Sequence, residues 1–382
     1  MRSMLGLKAP ASGSELRARG YEAGARMGSG QFGYAVLVTK ACPSGAPESR
    51  TYVAKLQKFR HLPSEDKERM QREVDAMRSL AEAGHPYLVR FRESFVEGDK
   101  LCIIMDYCDS GDLAVRIKRQ REVGHGQQFP EAQVQRWLAQ LIAGLDFLHA
   151  MHVLHRDIKP SSERLPPPGY PCARASEASA HLIPPRGVGA RADLFLHRGS
   201  ELKIGDLGLS KQILAGIAGA QKHTQCGSPV YLAPEVHMSQ AYDGKVDIWA
   251  AGCTLYEVMM LRRAFTGDDM EEILAKVVYA VRAPRRRQPA TARPPPTPPT
   301  PPPPPQQHGP IFGDWTAELE ELLLAMLRMR TKERPTAREL LTSAHLAPAV
   351  ATIDPQALAH VVRAAPPPPP PTRRVVVARR VG

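Results

Sequence analysis

The chain has 382 residues, 43% hydrophobic and 24% charged, with a formal net charge of +12 and 37 prolines, a balance that suits a globular protein of one or two domains. Of the +12, +10 falls in three irregular stretches (163–193, 281–307 and 351–382), so the remainder is near neutral and a basic groove for nucleic acid is disfavoured. Six scattered cysteines (Cys42, Cys102, Cys108, Cys172, Cys226 and Cys253) include no CxxC pair, and no apolar run approaches a membrane span; the expectation is a cytoplasmic chain with reduced thiols, without membrane or nucleic-acid partner, nuclear or cytoskeletal placement being the alternatives.

From Tyr21 to Leu56, short β-type segments alternate with glycine turns, and "CPSGAPES" reads as a loop. Residues 64–80 open with Ser64 as an expected cap and an acidic first turn, and Met70, Val74 and Met77 fall on one helical face. Two strand-like runs follow, "YLVRFRESFV" and "KLCIIMDYC". Residues 130–151 repeat apolar side chains at helical spacing: Val134, Leu138, Leu141, Ile142, Leu145 and Leu148. Beyond residue 243 the pattern is helical, broken only by the proline-rich 281–307. A β-rich first third therefore precedes a helix-rich remainder, with no internal repeat.

Within this frame four motifs carry chemistry. "GSGQFG" places Gly28, Gly30 and Gly33 between two strands; a plain glycine turn is the simpler reading, but a hairpin without side chains can also lay backbone N–H groups over phosphates. Lys55 ends the apolar strand "YVAK", 22 residues after Gly33, and Glu73 sits on the next helix. Alone these would be an edge lysine and a surface carboxylate; together they can hold an ammonium against phosphate oxygens. "HRDIKP" puts Asp157 two residues before Lys159, a carboxylate to accept a hydroxyl proton beside an ammonium to steady developing negative charge. "KIGDLG" places Asp206 just after a strand, where it can hold a divalent cation, and "GSPVYLAPE" closes the series at Glu235.

These motifs, in this order, resemble those of eukaryotic protein kinases over residues 21–346. Ala35 after the glycine loop, "RESFVEGDKLCIIMDYCDSGDL", "GDLGL" and "VDIWAAGCTLYEVMMLRRAF" are similar to the NIMA-related (Nek) serine/threonine kinases. The resemblance implies an α+β, bilobal fold with a small β-rich N-lobe and a larger α-helical C-lobe, using ATP and Mg2+ on protein substrates. It further implies nucleotide contacts from Gly28, Ser29, Gly30, Gln31, Phe32, Gly33, Ala35, Val53 and Lys55. Met105 would be the gatekeeper, Asp106, Tyr107 and Cys108 the hinge, and Phe195 a wall of the adenine pocket. Asp157 would be the base and Asp206 the metal ligand; Glu235 would pair with Arg334, and Asp247 would brace the catalytic loop. Thr224 matches the activating phosphorylation site, its phosphate expected to meet Arg156. Lys159-Pro160 and Ser228 favour serine and threonine over tyrosine. Residues 1–20 are expected to be a flexible N-terminus and 347–382 a disordered Pro/Arg-rich tail.

One departure matters. The family pattern HRDxKPxN needs asparagine, a second metal ligand, at a position held by Ser162, a weaker oxygen donor. The irregular segment 163–193 follows before "LFLHRGSELKIGDLG". The alternative function is therefore an impaired pseudokinase acting as a scaffold. Ser162-Glu163-Arg164 can be encoded AGT GAG CGC, containing an intron donor, and Ala192-Asp193 can be GCA GAC, containing an acceptor. Removing the stretch between them rejoins an AAC asparagine codon; Val281–Gln307 can be treated alike, so both segments are expected to be retained introns rather than insertions. The polyproline runs could otherwise serve SH3- or WW-type partners; oligomeric state is left open.

Overall fold

A computed structural model describes residues 14–30, 33–40, 50–124, 127–160, 193–206, 229–238, 240–265, 272 and 315–363. A short helix, α1 (Ser14–Ala18), leads into an antiparallel sheet built from β1 (Tyr21–Gly30), β2 (Gly33–Lys40), β3 (Arg50–Lys58), β4 (Phe91–Glu97) and β5 (Lys100–Asp106), in the order β1-β2-β3-β5-β4. Helix α2 (Ser64–Ala83) lies between β3 and β4 in sequence. The apolar run "LCIIM" on β5 follows from burial on both faces. Cys102 and Ile104 join Leu16, Tyr21, Val36, Val38, Ala54, Leu56 and Phe95 on one side, while Leu101 and Ile103 pack with Val74, Met77 and Leu80 on the other.

Two expectations change here. Ser64 is the first helical residue, not the cap: Pro63 occupies the cap position with ψ 155°, and its all-carbon ring can make no side-chain hydrogen bond. Residues 14–20 are not a flexible lead. Leu16 is buried, its N–H donates to Glu97 Oε2 at 3.0 Å, and Arg19 Nη1 reaches Glu93 Oε2 at 2.7 Å.

The helical body follows the sheet. It comprises α3 (Leu113–Glu122), α4 (Glu131–Ala150), α5 (Pro234–His237), α6 (Lys245–Met260), α7 (Ala317–Met326) and α8 (Ala337–Leu341), with the two-stranded ribbon β6 (Leu194–His197) and β7 (Glu201–Ile204) against it. Helix α4 is apolar nearly all round and is the centre of the core, as a helix covered on every side must be. Gly144 on α4 allows that ribbon close: a Cβ there would sit 2.6 Å from Ile204 Cδ1.

The segment expected as a disordered tail begins as packed structure. Helices α9 (Ala347–Val350) and α10 (Ala359–Arg363) flank a 3-10 turn, and Ala349, Ile353 and Ala357 are buried. Asp354 N–H donates to Tyr87 Oη at 2.7 Å, and Asp146 on α4 holds both His360 (2.9 Å) and Arg338 (2.9 Å). Buried alanines and one buried isoleucine give the segment an apolar face. Among the described residues no helix is long and apolar enough to cross a membrane.

Candidate active site

The period of two along β2, β3 and β5 sorts the expected nucleotide residues onto one face. Ala35 pairs with Lys55, Val53 with Met105, and Lys55 with Ile103, and this face looks away from the outer cluster around Ala54 and Leu56. Gly33 sits where β2 crosses β3 so closely that a Cβ would lie 1.9 Å from Leu56 O, so only glycine fits that end of the hairpin. Backbone pairing continues from Ser29↔Tyr34 to Gly30↔Gly33, which brings the two strands to the tip of the glycine segment. Gln31 and Phe32 lie outside the described residues.

Asp106 points its carboxylate to the outer face, where Arg92 grips it through two hydrogen bonds of 2.5 and 2.8 Å. The hinge therefore offers backbone rather than a charged side chain at this position. Tyr107 is half-buried and Cys108 buried, and burial pushes the Cys108 thiol up to about 12, keeping it protonated and unreactive.

The floor is the loop after α4. His152 and Arg156 take left-handed backbone (φ +58° and +66°), a conformation costly for residues with a Cβ. Asp247 holds the loop in it. Fully buried near the start of α6, its carboxylate accepts from the N–H groups of His155 (3.0 Å) and Arg156 (2.7 Å) and from His149 Nε2 (2.9 Å). Burial alone would raise this acid; the His149 bond and the other donors outweigh it and hold the carboxyl below its ordinary range. His155 faces Gly205 O across 3.0 Å, tying the loop to the end of β7 and so to Asp206. Asp206 itself is left-handed, at φ +40°.

Five charged groups meet at this level. Lys55 Nζ lies 2.5 Å from Asp206 Oδ1, each side chain under a fifth exposed. Lys159, buried, approaches Asp157 Oδ2 at 2.5 Å and Asp193 Oδ2 at 3.2 Å. Burial pulls the Lys159 ammonium down, but Asp193 and Asp157 together lift it above its ordinary value, so it stays charged. Glu73 is buried on α2, and Lys55 pairs with Asp206 just after β7. Phe195 is on β6, its ring against Gly205, where a Cβ would come within 2.6 Å of it.

Asp193 had been counted as the last residue of the 163–193 insertion, its codon read as supplying the end of a split asparagine codon. It belongs to the fold: its carbonyl accepts from Gly205 N–H at 2.7 Å and its side chain is 1% exposed. The signal was present, because it stands directly before "LFLH", where the expected asparagine would stand if the segment were removed. Ser162, Thr224, Ser228 and 281–307 lie outside the described residues. Glu235 and Arg334 pair, with Arg334 Nη1 at 2.7 Å from Oε1. A hollow of about 400 Å³ beside Tyr87, Arg136 and Asp354 shares no residue with this site.

The protein kinase domain family matches residues 21–162 and 191–346, stepping over 163–190. Human serine/threonine-protein kinase Nek5 is 32% identical over 259 residues, covering 68% of this chain and 30% of that protein. Mouse Nek1 is 31% identical over 253 residues, covering 66% of this chain and 17% of that protein, and Nek6 of Oryza sativa subsp. japonica is 30% identical over 333 residues, covering 87% and 48%. The chain thus spans less than half the length of these relatives. With its sheet, helical body and loop chemistry matched to that family over most of its length, this chain belongs to the protein kinases and is similar within them to the Nek serine/threonine kinases.

Proposed function

We propose that this chain transfers the γ-phosphoryl group of ATP to serine and threonine hydroxyls of protein substrates, with Mg2+. The observation that carries this reading is the meeting of Lys55 and Asp206 below the glycine hairpin, beside the Asp157–Lys159 pair. The residues fit the nucleotide: Gly33 leaves backbone exposed at the hairpin, and Ala35, Val53 and Met105 give an apolar wall for a base. They also fit Mg2+. No cluster of three or more His, Cys, Asp or Glu among the described residues could hold a metal alone, and Mg2+ is commonly held by one or two carboxylates completed by phosphates. When bound, ATP supplies the phosphoryl group and Mg2+ neutralises its charge. Lys55 positions phosphate oxygens, Asp206 presents a carboxylate to the cation, Asp157 orients the attacking hydroxyl and accepts its proton, and Lys159 balances charge beside it. The relatives' names as serine/threonine-protein kinases support the hydroxyl specificity. A cytoplasmic setting belongs to the same proposal.

The test is transfer from radiolabelled ATP to a generic serine/threonine-bearing protein, by the full chain and by one in which residues 162–193 are replaced by a single asparagine and 281–307 is removed. Activity lost in Asp157→Asn is expected, by at least about a hundredfold for a proton-accepting group. Full-length protein that binds ATP but transfers nothing, beside an active trimmed form, would refute the reading for this sequence and favour retained introns. Regulation is proposed through phosphorylation of Thr224. Arg156 Nε is buried without a hydrogen-bond acceptor among the described residues, and its guanidinium lies 5.1 Å over the Tyr242 ring, so a phosphate would supply the missing acceptor. Thr224→Ala should lower activity after phosphorylation, and equal activity before and after phosphatase treatment of the parent would sink the idea.

A further inference from the structure

We propose that residues 347–363 act as a positioning clamp for Asp206, working through the loop between α2 and β4; the assignment deepens the reading above, in which Asp206 presents its carboxylate to the cation. The kinase family match ends at residue 346, so the clamp lies outside the residues that carry the family likeness. It grips the loop at three points. Asp354 N–H donates to Tyr87 Oη at 2.7 Å, and Ala357 O faces His85 Nε2 at 3.1 Å. Because His85 Nδ1 accepts from Tyr87 N–H at 3.2 Å, Nε2 carries the ring proton and donates it to Ala357 O. His360 makes the third point. Its Nε2 meets Asp146 Oδ2 at 2.9 Å, and its ring stands edge-on to His85 and to Phe147, which stack with ring centroids 4.9 Å apart. Ile353 and Ala357, interleaved with these polar contacts in sequence, are buried.

The loop held in this way forms one edge of β7. Tyr87 O accepts from Ile204 N–H and Val89 N–H donates to Ile204 O, both at 2.8 Å, and Lys203 Nζ reaches Pro86 O at 2.5 Å. On the other edge Leu194 faces Ile204, and Asp193 O accepts from Gly205 N–H at 2.7 Å. Ile204 is therefore fixed from both sides, two residues before Asp206. The left-handed backbone of Asp206, at φ +40°, is costly for a residue with a Cβ and persists only where its surroundings hold it. Tyr87 and His85 are positioning residues in this arrangement, acting on Asp206 through the two backbone bonds of Ile204. Contacts that merely covered the helical body would leave Ile204 and Asp206 unmoved.

The experiment measures hydrogen exchange by mass spectrometry, and ADP affinity by calorimetry in EDTA and with Mn2+, on the full chain and three variants of it. Tyr87→Phe deletes one oxygen and keeps the ring, His360→Ala releases the Asp146 contact, and Thr336→Ala is a control that removes the side-chain cap of α8. Both clamp variants should speed exchange in peptides covering 85–89 and 201–206 by about three- to tenfold, the worth of one neutral hydrogen bond. The gain in ADP affinity from Mn2+ should fall by about threefold or more on the same ground, with affinity in EDTA unchanged as the sign of a folded, nucleotide-competent protein. Thr336→Ala should speed exchange at 337–341 and leave the other quantities as in the parent. Faster exchange at 347–363 with 201–206 unchanged, or a parental Mn2+ gain kept in full by both clamp variants, overturns the proposal and reduces the segment to a structural cover. Equal effects from Thr336→Ala overturn it as well, since general destabilisation then accounts for them. A parent chain that gains nothing from Mn2+ overturns the metal reading of Asp206, and the exchange rates at 201–206 then decide the clamp by themselves.

Discussion

Arg334 is the most completely satisfied cation in the described structure, which makes its removal informative. Its five N–H groups are matched by five hydrogen bonds: Nε and Nη2 to Arg328 O (3.1 and 3.0 Å), Nη1 to Glu235 Oε1 and Lys245 O (both 2.7 Å), and Nη2 to Glu235 Oε2 (3.1 Å). The guanidinium also lies 5.1 Å from the Trp249 ring centroid, and the two ion-pair side chains are 0% and 3% exposed. Arg334→Met leaves the Glu235 carboxylate buried without its partner and takes the Arg334 donors away from Arg328 O and Lys245 O. Breaking a buried pair from one side costs about 3–5 kcal/mol. For a domain of this size that is a fall in Tm of roughly 6–20 °C. The double substitution Glu235→Leu with Arg334→Met removes both charges, so it should cost less than the two single changes summed, with a coupling of about 2 kcal/mol or more. Because Arg334 also fixes Lys245 O at the start of α6, two residues before Asp247, transfer activity should fall in protein that remains folded. The assay is urea unfolding of all four forms alongside phosphoryl transfer. A loss under about 1 kcal/mol for Arg334→Met, or strict additivity in the double form, would refute the reasoning.

The remaining predictions concern pH and the hairpin. His85 is pushed down to about 4 from 6.5, chiefly by burial, with His360 and Lys203 adding to the fall, and the Ala357 carbonyl and Asp146 acting against it. Its Nδ1 accepts from Tyr87 N–H and its Nε2 meets Ala357 O, so the neutral ring is the bound form. Sign follows directly: above pH 6.5 neither state protonates His85, and between 6.5 and 4 only the unfolded state does. Stability should therefore fall on acidification across that window, by about 3 kcal/mol, and level off below it. His85→Gln should flatten that part of the urea-midpoint profile, and an unchanged profile would overturn the assignment. Gly33→Val should raise the KM for ATP about tenfold with the helical body intact by circular dichroism, since the side chain must displace Leu56 O and with it the hairpin; an unaltered KM would show that the hairpin tip does not hold the nucleotide.

Much of the fold was legible along the chain. Helix α4 was read as 130–151 and is Glu131–Ala150, because its apolar repeat is local and strong. The strand "KLCIIMDYC" was recognisable without any clue to the two different layers that cover it. Ser64 was misplaced by one position, since cap and first helical residue differ only in a dihedral angle that composition does not encode. The order of Gly33, Lys55, Asp157 and Asp206 was readable because each motif is short and its chemistry follows from residue type.

Spatial assignments were not legible in the same way. Asp106 looked like a hinge side chain until Arg92, fourteen residues away, took its carboxylate. Residues 347–363 looked like the start of a tail because their anchors, Tyr87, His85 and Asp146, lie more than 200 residues earlier. By itself the sequence determined the elements, the motif order and the chemistry those motifs can support, all carried by contacts within a few residues. Only the tertiary structure decided which carboxylates share the floor of the cleft. Asp193 is 36 residues from Asp157 and 13 from Asp206, and it joins them because β6 and β7 pair and His155 bridges to Gly205, long-range hydrogen bonds that form only once the chain has closed on itself.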